Sequence, residues 1–305
     1  MGGVSAPAIY LAGATAIGKS ALALRLAERL GGEIISVDSM QVYRGLDIGT
    51  AKPSANEQGE TPHYLIDVAG LDEPFDAAQF VRLAKRAEEA IRSHGMRAIF
   101  CGGTGLYFRA LFDGLGESPP GDDSLRAELE AMPLEELLVE LAAKDPEAFE
   151  AVDRQNPRRV IRAVEVIRLT GQAYSSQRIG WDVLGQAPAN LFCVTREMDN
   201  LNARIHERVD RMFEQGLVAE TESLAKRGLR ENRTACQGLG YRQVLEHLDG
   251  GLGLAETVEL VKARTRRFAK RQRTWFRNQM NCQSVEWTGG DSAEVCCERL
   301  LGMIE

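Results

Sequence analysis

Ala8-Ile9-Tyr10-Leu11-Ala12 is an apolar run too short for a buried helix, and it breaks at Gly13 into a glycine-containing loop. From Ala21 to Leu30 the apolar positions recur at helical spacing, so strand, loop and helix are predicted in succession. Glu33 to Val37 repeats the short apolar pattern and ends at Asp38. Ala78 to Ser93 has helical spacing, and Arg97 to Cys101 reads as another buried strand that stops at Gly102-Gly103-Thr104-Gly105. Alternating strands and helices predict an α/β fold, a parallel sheet flanked by helices with its polar groups at the strands' carboxyl ends. Asp38, Thr104 and the glycine loop all fall at such ends.

The pattern changes after Leu111. Asp113 to Gly121 is rich in glycine and proline and reads as a linker. Helical stretches follow, with Pro133 and Pro146 placed to begin two of them. Asn156-Pro157 predicts a cap followed by a first-turn proline, and Gly171 suits the stop. Residues 115–185 are therefore expected to form an all-helical insertion, with 1–114 and 186–305 as the sheet core and its basic C-terminal helices. Leu191 to Thr195 reads as a returning strand, Asp199 to Gln215 as a helix stopped by Gly216, and Glu256 to Asn278 as a long helix.

Composition narrows the class. Over 305 residues, 44% hydrophobic and 27% charged content fits a globular protein with a sizeable core. No run of about 18 apolar residues suggests a membrane span, and Met1 to Pro7 lacks a signal peptide's pattern. Six cysteines without a CxxC pair argue against a zinc module and against a disulfide framework, and a reducing cytoplasm is expected. The net charge of −7 would argue against nucleic acid, but its distribution reverses that. Residues 151–280 hold 23 Lys and Arg against 15 Asp and Glu, whereas the rest of the chain holds 14 against 29. A phosphate backbone responds to the local field, so the basic segment decides.

Gly13-Ala14-Thr15-Ala16-Ile17-Gly18-Lys19-Ser20 is a complete phosphate-binding loop in its proper strand–loop–helix setting. Its backbone N–H groups form an anion nest, Lys19 adds a charge, and the Ser20 hydroxyl suits Mg²⁺. Asp38 suits a turn cap, a Mg²⁺ ligand or a general base, and its neighbours Gln41 and Tyr43 suit contacts to a base. Thr104 suits either a helix cap or a ligand contact. Arg204, Arg208 and Arg211 share one helix face, which either pairs with Glu207 and Glu214 or clamps a diphosphate. Arg158, Arg159 and Arg162 form one basic cluster, with Val160 and Ile161 turned to core. Residues 262–277 form a second, with eight Lys or Arg, no acid, and Phe268, Trp275 and Phe276 interleaved. With the glycine turn Gln237-Gly238-Leu239-Gly240-Tyr241-Arg242, these clusters point to a polyanion.

The phosphate loop, Val37 to Pro53, Pro62 to Asp67, Gly102 to Tyr107, Asn156 to Ala163, Gly240 to Arg242 and Thr265 to Gln272 together resemble the bacterial tRNA dimethylallyltransferases. Ala14, Tyr64 and Gln237 depart from that family's usual residues, but none of them removes a charged catalytic group. The resemblance implies a P-loop NTPase-like core with an inserted helical subdomain that closes over the RNA. It also implies transfer of a dimethylallyl group from dimethylallyl diphosphate to N6 of adenosine 37 in the tRNA anticodon stem-loop, with Mg²⁺. Asp38 matches the family's base, Thr104 a residue that helps hold the target base, and Arg208 a diphosphate contact. Gly13, Thr15, Ala16, Ile17, Gly18, Lys19 and Ser20 then hold the diphosphate, with Ser20 on the metal. Asp38, Ser39, Met40, Gln41, Arg158, Arg159, Val160, Ile161, Arg162 and Gln237, Gly238, Leu239, Gly240, Tyr241, Arg242 align with RNA-contacting segments. Tyr43, Tyr107 or Trp275 is expected to stack on a base, and a monomer without a membrane partner is expected. A free-adenylate prenyltransferase would have little use for the basic clusters. A small-molecule kinase would need an arginine lid, and a plain RNA-binding module would leave Lys19 and Asp38 without a task.

Overall fold

The computed structural model describes residues 6–116, 118–177 and 187–304. Chain order begins β1 (Ile9–Gly13), α1 (Lys19–Leu30), β2 (Gly32–Val37), α2 (Ala55–Glu60), β3 (His63–Tyr64), α3 (Ala77–Ser93), β4 (Arg97–Gly102) and α4 (Gly105–Asp113). Five helices follow: α5 (Asp123–Ala131), α6 (Leu134–Lys144), α7 (Pro146–Ala151), α8 (Pro157–Thr170) and α9 (Tyr174–Gln177). The chain ends with β5 (Leu191–Thr195), α10 (Met198–Glu214), α11 (Leu217–Ala225), α12 (Tyr241–Leu248), α13 (Leu254–Gln279), β6 (Gln283–Glu286) and α14 (Ala293–Ile304).

The sheet runs β3-β2-β4-β1-β5-β6, and every neighbouring pair is parallel. Helices cover both faces, which is why the inner strands carry few polar residues. Ile9 and Leu11 of β1 point to one face and join Leu22, Leu26, Cys296 and Leu300 of α1 and α14. Tyr10 and Ala12 point to the other, with Phe100 of β4 and Phe80, Ala84 and Ile91 of α3. The period of two is thus preserved although both faces are buried. Asp76 caps α3 by accepting from the Gln79 N–H at 2.8 Å.

The described residues fall into two compact units, one reaching Phe112 and resuming from Ala187, the other running from Asp113 to Gln177. The expected return at residue 186 lies outside the described residues. The second unit is all-helical, with Leu129, Leu137, Leu141, Val160 and Val164 as its core. Glu165 of α8 is fully buried there and accepts from Arg126 at 2.8 Å, Arg162 at 2.6 Å and the Asp122 N–H at 3.0 Å. Burial pushes its carboxyl up, but the two guanidinium groups outweigh that and hold it below the usual carboxylate range.

One expectation is overturned. Cys193 of β5 and Cys282, just before β6, form a disulfide with Cα atoms 5.8 Å apart. The β5–β6 register pairs Phe192 with Gln283, which brings the two thiols side by side. Their sequence separation of 89 leaves no local spacing to read.

Candidate active site

The loop between β1 and α1 is built to leave its N–H groups open. Gly18, the N-cap of α1, offers no side-chain cap, so the first-turn donors of α1 remain for an anion. The buried Lys19 ammonium donates to the Ala14 carbonyl at 2.6 Å. Burial pushes its pKa down to about 8, and the charge of Arg208 acts the same way, against Cys101 and Asp38. The Thr15 N–H is already taken, at 2.9 Å, by the side-chain oxygen of Gln272 from α13. Ser20 is exposed.

Asp38 follows β2. Its Oδ1 accepts from the N–H groups of Met40 at 2.8 Å and Gln41 at 3.3 Å, while Oδ2 has no partner among the described residues. The Thr104 hydroxyl accepts from the Ser39 N–H at 3.2 Å, and the Thr104 N–H donates to Val37 at 3.3 Å, which stitches the ends of β2 and β4 together. Gly102 permits this approach, because a Cβ there would lie 2.0 Å from the Val37 carbonyl oxygen. Gln41 is spent internally: it accepts from Ser36 and donates to the Thr50 and Ala51 carbonyls.

The arginine stripe of α10 turns towards the loop. Arg204 donates to the Ala16 carbonyl at 2.9 Å and Arg208 to the Thr50 carbonyl at 3.4 Å. Arg211 alone pairs with an acid of its own helix, Glu207, at 3.8 Å. Burial lowers the Arg208 pKa, and Asp38 opposes that shift. A cavity of about 980 Å³ unites Thr15 to Ser20, Asp38, Gln41, Lys52, Gly102, Gly103, Arg204, Arg208 and Arg211. Thr104, Ser39 and Met40 are not in its lining; Thr104 holds the Ser39 N–H, next to Asp38, which does line it.

Ser20 and Asp38 offer only oxygen donors to this cavity, and the described residues hold no cluster of three or more His, Cys, Asp or Glu. That set fits Mg²⁺, which keeps waters and substrate oxygens as most of its ligands.

The residues expected to contact RNA divide. Arg158 and Arg159 are exposed without an ion-pair partner among the described residues, whereas Val160 and Ile161 are buried in the helical core and Arg162 is tied to Glu165 and the Pro119 carbonyl. Gln237 is exposed and accepts from Arg242 at 2.9 Å, with Gly238 packed near Met40, and Leu239 is half-buried between buried glycines. Tyr241 is a correction, because its ring is core. Its hydroxyl donates to Glu220 at 2.6 Å and accepts from the Gly49 N–H at 3.0 Å. Tyr43 is fully buried, and Tyr107 is stacked on Phe80 at 4.2 Å, so neither ring is free for a base. Trp275 remains half-buried over Gly105. On α13, Lys262 pairs with Asp210 and Glu259, and Arg266 bonds His206. Arg267, Lys270 and Arg271 are exposed without an ion pair among the described residues.

Sequence reasoning missed several groups. Lys52, with its side chain 5% exposed, donates to the Tyr43 carbonyl and holds both Asp47 and Asp67. Glu220 receives the N–H of Ile48 at 2.9 Å. Gln272 of α13 bridges the phosphate loop to the Gly103 carbonyl at 2.9 Å.

Fold and site define an enzyme of the phosphate-loop class, with a carboxylate and several cations gathered around an anion cradle. A sequence model described as IPP transferase matches residues 41–279. The chain is 45% identical over 284 residues to tRNA dimethylallyltransferase 1 of Trichlorobacter lovleyi, covering 92% of this chain and 93% of that protein. The chain belongs to the IPP transferase family. A solved structure of the tRNA isopentenylpyrophosphate transferase from Bacillus halodurans matches with a TM-score of 0.71 at 38% identity, covering 98% of this chain and 96% of that one. A eukaryotic dimethylallyltransferase acting on tRNA matches with a TM-score of 0.78 at 25% identity, covering 97% of this chain and 77% of that one. The parallel core with an inserted helical segment is the architecture of these neighbours.

Proposed function

We infer that this chain transfers a dimethylallyl group from dimethylallyl diphosphate to N6 of adenosine 37 in tRNA. The observation that carries the reading is Asp38, with one carboxylate oxygen unspent, in the same cavity as the phosphate loop and Arg208. The exocyclic amine of adenine is a weak nucleophile because its lone pair is delocalised into the ring. As the new N6–C1 bond forms and the C1–O bond to diphosphate breaks, N6 must lose a proton, and Asp38 Oδ2 takes it. The charge growing on the departing diphosphate meets the loop's N–H groups, Lys19 and Arg208, fixed in place before reaction. Mg²⁺ held at Ser20 would neutralise part of that charge. Thr104, through the Ser39 N–H, sets the turn that aims Asp38.

The RNA side rests on exposed cations. Arg158, Arg159, Arg267, Lys270 and Arg271 take backbone phosphates, and Gln237, in the turn before α12, and Arg242, in its first turn, contact the anticodon loop. Ser39 and Met40 line the approach of the extruded adenosine, whose unstacking costs a few kcal/mol. Trp275 is the aromatic left for stacking. Val160, Ile161 and Tyr241 support these segments from the core. No helix among the described residues is long and apolar enough to cross a membrane. A tRNA acceptor places the proposed enzyme, expected as a monomer, in the cytoplasm.

The test is incubation with unmodified anticodon stem-loop RNA, Mg²⁺ and dimethylallyl diphosphate, followed by nucleoside mass analysis. A gain of one C5H8 unit on adenosine is expected. Prenylation of free AMP instead of the RNA would replace the acceptor assigned here, and consumption of ATP with no prenyl transfer would make the protein a kinase.

A further inference from the structure

A phosphate loop binds an anion only while its N–H groups converge, and flipping one peptide plane presents a carbonyl oxygen in place of a donor. In a trans peptide the carbonyl and the following N–H point in opposite directions, so whatever grips the carbonyl aims the donor. Three loop carbonyls are gripped here, each by a cation: Ala14 by Lys19, Ala16 by Arg204 and Ile17 by Arg196. Lys19 and Arg204 line the cavity themselves, whereas Arg196 does not.

Arg196 lies between β5 and α10 and is 5% exposed. Its Nε donates to the Ile17 carbonyl at 3.2 Å and its Nη1 to Asn200 at 2.7 Å, and no carboxylate among the described residues pairs with it. The guanidinium lies 4.7 Å from the centre of the Trp287 ring, a cation–π contact in a desolvated place. Trp287, 5% exposed, follows β6 and is fixed at both ends. Its backbone N–H donates to Thr195 and its indole N–H to the Asp291 carbonyl, each at 2.8 Å. The ring also backs the loop directly, since a Cβ on Gly18 would lie 2.5 Å from it. Gly18 has φ of 115°, a region where glycine turns freely, so the local backbone alone does not fix the Ile17–Gly18 plane.

We propose that Arg196 and Trp287 form a clamp that holds the Ile17–Gly18 peptide with its N–H towards the cavity, so that affinity for the allylic diphosphate depends on two residues that do not touch it. This rests on the reading of the loop as a diphosphate cradle. Arg196 and Trp287 are positioning residues: removing either lets the peptide rotate and substitutes a carbonyl for a donor. The RNA surface, carried by other elements, is left as it was.

The test measures inorganic diphosphate with Mg²⁺ by calorimetry, RNA affinity by fluorescence anisotropy, and the steady-state constants for dimethylallyl diphosphate. Arg196→Met and Trp287→Leu should each weaken inorganic diphosphate about tenfold, the scale of one charge-assisted hydrogen bond. The KM for dimethylallyl diphosphate should rise with it, while RNA affinity stays within about twofold. Trp287→Phe, which keeps a ring face, should restore most of the loss. Should Arg196→Met not fold, Arg196→Lys and the two Trp287 variants decide the matter. Folded variants that bind inorganic diphosphate like the parent, or that lose RNA affinity equally, overturn the clamp. If the parent transfers no prenyl group yet its diphosphate affinity still depends on Arg196, the functional reading fails and the clamp stands.

Discussion

Lys19 offers the sharpest test of the electrostatics. Burial lowers its pKa from 10.5 to about 8, a difference of about 3 kcal/mol between its two protonation states. With only the ammonium form binding, the competent fraction falls from about nine-tenths at pH 7 to about one-tenth at pH 9, so inorganic diphosphate should bind about tenfold more weakly. Ligand-free stability moves the opposite way. The folded protein holds the Lys19 proton less tightly than the unfolded chain, so between pH 8 and 10.5 the unfolded state binds more protons. The gain is complete above 10.5 and is lost as pH falls through about 8, with about 3 kcal/mol as its ceiling. Calorimetric titration of inorganic diphosphate from pH 7 to 9, paired with denaturant melts of the ligand-free protein from pH 7 to 10, reads both signs. Lys19→Met is the reference that removes every other titration. A parent affinity as flat with pH as the variant's, or a stability difference that does not grow above pH 8, would refute the argument.

Two further outcomes bear on the site. Asp38→Asn should lower kcat by about 10²- to 10⁴-fold, the range for a general base, and leave inorganic diphosphate affinity intact; near-normal turnover at saturating RNA would remove Asp38 from that role. Reversing Arg267, Lys270 and Arg271 to Glu should weaken RNA binding and flatten its dependence on salt, measured by anisotropy from about 50 to 200 mM salt. An unchanged salt slope would take α13 out of the RNA interface.

The parts of the site that local pattern encodes were legible. The phosphate loop, Asp38 at a strand end and the long basic helix each show in a window of a few residues, and each is found where the pattern puts it. Val160 and Ile161 show both sides of the inference. Helical spacing turned them to core, family resemblance placed them in an RNA-contacting segment, and the structure buries both side chains. What escaped depends on partners far apart in sequence. Arg196 acts on Ile17 from 179 positions away, Glu220 on Ile48 from 172, and Gln272 on Thr15 from 257. Such pairs exist only after the sheet order is set, and the arginine, glutamate and glutamine involved look like ordinary surface residues. Lys52 was hidden by its type, since a lysine is seldom buried until two aspartates and a carbonyl are in place to receive it.

Gln272 has a thermodynamic consequence. Its amide joins the phosphate loop at Thr15 to the glycine turn at Gly103, and it rides on the helix that carries Lys270 and Arg271. An RNA strand that shifts α13 therefore also shifts the donor set that the diphosphate meets. Linkage makes that traffic reciprocal: whatever factor RNA imposes on the affinity for the prenyl donor, the donor imposes on RNA. Shortening that side chain in Gln272→Ala should therefore reduce the coupling between the two substrates.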